Sequence, residues 1–254
     1  MNKHRWSRSA AAAALLLTGG LAACTSRGAE ENPPVAASAI PRPATSLPAE
    51  CLPTITEIGF TADERDVRYG VATRNACPYA LVNAAVTVRV LGADGRRLAG
   101  EDIDLPDLTV LLPGQELAGA GYFQLDDAVR VGTVEAVFTG GEPAPADAFA
   151  AWPRTVRVAD LTVSTPDSHG RSAVTGRIVT EPAGAALCSP AASLILRDRA
   201  GKIIYGRPAL IRGDRVSVDL AVPEAADPAR TEIAVAQGQD ALRANPVPVA
   251  ACAV

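Results

Sequence analysis

VTVRVLGADG, Val86 to Gly95, reads as a β-strand running into a hairpin turn. Val86, Val88 and Val90 alternate with Thr87 and Arg89, the period of two that sends one set of side chains into a core and the other towards solvent. Asp94-Gly95 supplies the corner, where glycine takes positive φ at little cost. Working outward, Val67, Tyr69 and Val71 alternate with Arg68 and Gly70, and Val216, Val218, Leu220 and Val222 repeat the pattern. Helical spacing is confined to the short run Ala146 to Trp152. Many short alternating strands with regular turns predict an all-β chain of antiparallel sandwiches.

The chain also answers itself. VTVRVLGADG is matched by LILRDRAG from Leu194, LLPGQELAGAGYF from Leu111 by LIRGDRVSVDLAV from Leu210, and TVEAVF from Thr133 by TEIAVA from Thr231. Three blocks in the same order predict two tandem copies of one immunoglobulin-like sandwich, residues 51–142 and 154–254. Gly140, Gly141, Pro143 and Pro145 mark the boundary, and residues 143–153 are expected to link them.

These blocks resemble the FxLYD domain family, small immunoglobulin-like sandwiches of bacterial envelope lipoproteins. The likeness rests on the strand carrying Gly70 and Asn75, then Val88 to Gly95, then Leu112-Pro113-Gly114-Gln115 opening the next strand. Leu91-Gly92 and Arg197-Asp198 depart from the family's aromatic and acidic positions. The resemblance implies a recognition or spacer module and no reaction.

Ahead of the strands, Lys3, Arg5 and Arg8 precede an apolar run from Ala10 to Ala23, too short for a membrane span of ~20 residues and typical of a signal peptide, residues 1–23. Leu21-Ala22-Ala23-Cys24 resembles the bacterial lipobox, which makes Cys24 the lipidated first residue of the mature chain. Residues 24–50, with Pro33, Pro34, Pro41, Pro43 and Pro48, cannot bury a core and are read as a disordered tether. The expected location is the extracytoplasmic face of a bacterial cell membrane, with the lipid as anchor. Arginine replaces lysine almost throughout, and Ala, Gly and Pro abound, as in a high-GC, actinobacterial coding sequence.

Without residues 1–23 the chain carries a formal charge of −7, which argues against nucleic-acid binding. Cys51, Cys77, Cys188 and Cys252 form an even set, as expected for two disulfides in an exported protein, and no Cys-x-x-Cys pair suggests zinc. A hairpin of Thr54–Phe60 and Asp66–Asn75 centred on Glu64 pairs positions summing to 128, so Phe60 faces Arg68 and Cys51 faces Cys77. Cys188 and Cys252 are then left for each other.

No residue set is expected to carry chemistry. His169, the one histidine after the signal, lies in Pro166-Asp167-Ser168-His169-Gly170, where triad types sit together in a turn that does not aim them at one another. Asp94, Glu101, Asp102, Asp104 and Asp107 match no calcium loop and read as a charged strand edge. Arg212-Gly213-Asp214 fills a turn, as Pro113-Gly114-Gln115 does. Phe149 and Trp152 are expected to pack between the two sandwiches. The functional expectation is therefore a non-catalytic interaction or spacer module that needs no cofactor and meets another envelope or cell-wall protein. The alternative is a ligand-binding protein or hydrolase with a site formed between the halves.

Overall fold

The computed structural model describes residues 53–98, 103–105, 108, 110–150, 152–185, 187 and 189–237. Its first half contains β1 (Thr54–Asp63), β2 (Asp66–Arg74), β3 (Ala80–Gly92), β4 (Ile103–Asp104), β5 (Val110–Leu111), β6 (Glu116–Gln124) and β7 (Val131–Ala144). The second contains β8 (Thr155–Val163), β9 (Ser172–Glu181), β10 (Ala191–Arg197), β11 (Ile203–Arg212), β12 (Arg215–Leu220) and β13 (Glu232–Ala236). Every strand pairing is antiparallel, as the all-β reading requires.

In the first half β1-β2-β6 form one sheet, and β3 pairs with β4, β5 and β7 in a second. Alternation explains why they stack: Val67, Tyr69 and Val71 of β2 meet Val86, Val88 and Val90 of β3 in a core completed by Leu105, Leu108, Phe123, Leu125 and Val134. Burying each such aliphatic side chain contributes about 1.5–3 kcal/mol. The pairing pattern recurs in the second half, with β8-β9-β12 in the place of β1-β2-β6 and β10-β13 in the place of β3-β7. There β11 pairs with β10 on one side and β12 on the other, so the six strands make one sheet, β13-β10-β11-β12-β9-β8, around a core that includes Val174, Leu194, Leu196, Val216, Val218 and Leu220.

The hairpin after β3 and the one after β10 share a turn. Gly92 N–H donates to Arg96 O and Gly95 N–H to Gly92 O, with φ +77° at Gly95; Asp198, Gly201 and Lys202 repeat the arrangement, with φ +86° at Gly201. Both are three-residue hairpin loops closed by a glycine in the left-handed region.

Three expectations change. The β1–β2 hairpin turns on Glu64 and Arg65, so Phe60 faces Tyr69 rather than Arg68. A β-bulge between Ile55 and Glu57 absorbs one residue and restores the sum of 128 at Thr54↔Arg74. β7 continues through Ala144, paired to Ala80, into the stretch expected to be linker. Ala146–Phe149 is a single 3-10 turn, and Phe149 and Trp152, edge to face at 5.0 Å, pack on Ala80 and Val110 of the first half instead of lying between the halves.

Candidate functional site

The described residues belong to one compact unit, because the outer face of β1-β2-β6 is itself covered. Residues with even numbers on β2 and β6 point away from the first core, and those in the middle of the two strands are small: Gly70 and Ala72, Ala118 and Ala120. Gly59, Gly70 and Ala120 stand opposite one another on three neighbouring strands, a smooth row across the sheet. Onto that row the second half lays Ile195 of β10 and Ile203 of β11. The backbones come closer than side chains permit. A Cβ on Gly59 would lie 1.6 Å from the Ile203 carbonyl oxygen, and one on Gly206 would lie 2.2 Å from that of Tyr69. The middle sheet is thus buried on both faces.

Polar groups fix this seam. Thr61 Oγ1 donates to Ile204 O at 2.6 Å, and Ser193 Oγ accepts the Ala120 N–H at 3.0 Å. Glu57, aimed by the bulge beside it, accepts from Ile203 N–H through Oε1 at 2.6 Å and from Arg197 Nη1 through Oε2. Arg197 also donates to Gly201 O and, through Nε, to Glu232 Oε2 at 3.4 Å. Partial burial works against its charge, but the hydrogen bond and attraction of Glu57, followed by those of Glu232, outweigh it and hold the guanidinium more firmly protonated than usual.

Two grooves run along the seam. One of about 520 Å³ lies between Ile55–Ile58 and Lys202–Ile203. Another of about 320 Å³ lies between β6, β8 and β13, with Glu116, Arg157 and Glu232 on its walls. A third hollow, of about 610 Å³, opens at the end of the second half between Ile178, Leu187, Pro190 and Ile211.

Of the residues singled out in the sequence, Cys24, Cys51, Cys188 and Cys252 lie outside the described residues. Cys77 is buried and disulfide-bonded, with its partner outside them as well. Asp167 accepts the backbone N–H groups of His169 and Arg171 through Oδ1, and its three-residue loop, closed by Gly170 at φ +72°, repeats the turn at Gly95. Its carboxylate is committed to the turn backbone, and those two bonds, Arg171's first, hold its pKa below the ordinary value. Asp94 caps the Arg96 N–H in the same way, while Glu101, Asp102 and Asp107 lie outside the described residues. Among the described residues no three His, Cys, Asp or Glu side chains are placed to share a metal ion. Arg212-Gly213-Asp214 forms the β11–β12 corner, with φ +62° at Gly213.

Sequence reasoning missed Glu57 and Arg197. Neither carries a motif; the available signal was the run of Gly and Ala at outward positions of predicted strands, which marks a second covered face.

No family model, no curated protein and no solved structure matches the chain.

Proposed function

We propose that this chain is a lipid-anchored lipoprotein of the extracytoplasmic face of a bacterial cell membrane, whose folded part acts without catalysis as an interaction or spacer module for another envelope or cell-wall protein. The observation that carries this reading is the seam. Two β-sheet halves locked through a doubly buried middle sheet form one body of fixed shape, which suits presentation of a surface at a set distance from an anchor. The lipobox ending in Cys24 and the Pro-rich tether support the anchoring part, and the FxLYD-like blocks support the module. Cys24→Ala in cells tests the anchor: unprocessed precursor or release into the medium is expected, and normal processing with membrane retention overturns it. Cross-linking on intact cells tests the module, with a reproducible envelope protein captured by the wild-type chain as the expected result.

The groove beside Glu57 and Lys202 favours the second reading, a ligand site between the halves. Its test is whether Glu57→Gln and Lys202→Gln abolish binding of a small ligand found by thermal-shift screening.

A further inference from the structure

The outer face of β9-β11-β12 carries arginines in register. Arg212 stands opposite Arg215, and Arg215 opposite Arg177, all three exposed. At the usual strand spacing the row spans about 10 Å. The alternate residues Val216, Val218 and Ile178 are buried in the core, which commits the arginines to solvent. Like charges directly opposite on neighbouring strands destabilise a sheet. Asp160 pairs with Arg177 at 3.2 Å, and Asp214 lies in the adjoining turn, but Arg212 and Arg215 have no carboxylate partner among the described residues. Beside the row, Leu210 lies two residues before Arg212 on the same face of β11 and is 65 % exposed. Charge is also divided along the chain: residues 53–142 hold seven basic and fourteen acidic side chains, residues 154–237 eleven and nine.

From this face we infer a second contact with the membrane: the Arg177–Arg215–Arg212 row binds phosphate-bearing lipid headgroups while Leu210 enters the apolar boundary. Guanidinium forks match phosphate oxygens, and an exposed leucine beside a row of cations suits a lipid surface better than a soluble polyanion. The inference deepens the envelope reading and rests on its membrane location. A headgroup layer supplies the anions that relieve the like-charge row, and the acidic first half is repelled outward.

The test uses the mature chain, residues 24–254, with Cys24→Ser so that no lipid is attached. Flotation is measured with vesicles of phosphatidylcholine alone and with added phosphatidylglycerol. Binding to the anionic vesicles only, released by salt, is expected. With each arginine near an anionic surface worth about fivefold in partitioning, Arg177→Gln, Arg212→Gln and Arg215→Gln together weaken it about a hundredfold. Leu210→Ser weakens it further, and a control triple at exposed Arg96, Arg130 and Arg154 leaves most of it. The row variant melts no lower than the parent, since like-charge repulsion is relieved. Absence of binding by the parent, equal losses in the two triples, or equally tight binding of soluble polyphosphate overturns the inference. Because the probe lacks the lipid, these outcomes are independent of whether Cys24 is modified.

Discussion

The Glu57 carboxylate joins the halves twice, taking the Arg197 guanidinium on one oxygen and the Ile203 N–H on the other, across 140 and 146 residues of sequence. Both side chains are largely covered, 21 % exposed for Arg197 and 30 % for Glu57, so solvent screens the pair only in part. Hydrogen bonds to charged groups contribute about 1.5–3 kcal/mol. Glu57→Ala is expected to lower stability by about 2 kcal/mol in urea unfolding. In a double-mutant cycle with Arg197→Leu, a coupling near zero would show that the bond contributes nothing.

Close approach at the seam makes a sharper contrast. Gly59→Ala places a methyl carbon against the Ile203 backbone, which cannot rotate away, and is expected to cost more than about 3 kcal/mol. At Gly140 the nearest atom to a new Cβ is Ala85 Cβ at 3.7 Å, so Gly140→Ala is expected to change stability by less than about 1 kcal/mol. Equal urea midpoints for the two variants would contradict the packing described.

Unfolding is expected as a single transition. Trp152 is the one tryptophan after the predicted signal and packs in the first half, so its fluorescence reports on that half, whereas far-ultraviolet circular dichroism reports on both. Coincident curves follow from the shared middle sheet. Two separated transitions would mean that the seam opens before the cores. Limited proteolysis is likewise expected to trim residues before Pro53 and to spare 143–153, where β7 and the Phe149–Trp152 pair are packed.

The bulge near Glu57 bears on the cysteines. The observed register ends at Thr54↔Arg74, and positions 51 and 77 share its sum of 128. Non-reducing peptide mapping is expected to yield a Cys51–Cys77 peptide, leaving Cys188 with Cys252. A Cys77–Cys188 peptide would overturn the pairing.

For Asp167 the sign is set by a lowered pKa in the folded state. Its hold on the turn is complete above the ordinary aspartate value of about 3.9 and is lost as pH falls through the lowered one. Carboxyl-carbon NMR is expected to show it titrating below the ordinary aspartate value; an ordinary midpoint would contradict the two backbone bonds.

Strand periodicity made the two cores legible: Val86, Val88 and Val90, and Val216, Val218 and Leu220, were read as inward and are buried. The hairpin corners were legible because turn chemistry is local, and Gly95 and Gly201 close the same kind of loop. The seam was not. A period of two identifies one buried face and assigns the other to water, so Gly59, Ala118 and Ala120 drew no reading, although with Gly70 they form a second packing face. The register of Phe60 differs for another reason: the hairpin turns on two residues, Glu64 and Arg65, rather than on Glu64 alone, and polar turn residues do not mark in the sequence which of them close the loop. Phe149 and Trp152 were legible as an aromatic pair, but the half they belong to depends on how far β7 extends.

β1 follows directly on the residues that precede Pro53, and it is an edge strand of the middle layer. Any mechanical load drawn through those residues therefore enters the molecule at its most enclosed sheet. To peel β1 away, a pull must break its ladder with β2, strip Glu57 from Arg197 and Ile203, and lift Gly59 off the Ile203 backbone in the same event. The point where such a load would enter coincides with the Glu57 clamp, so force would reach both halves together.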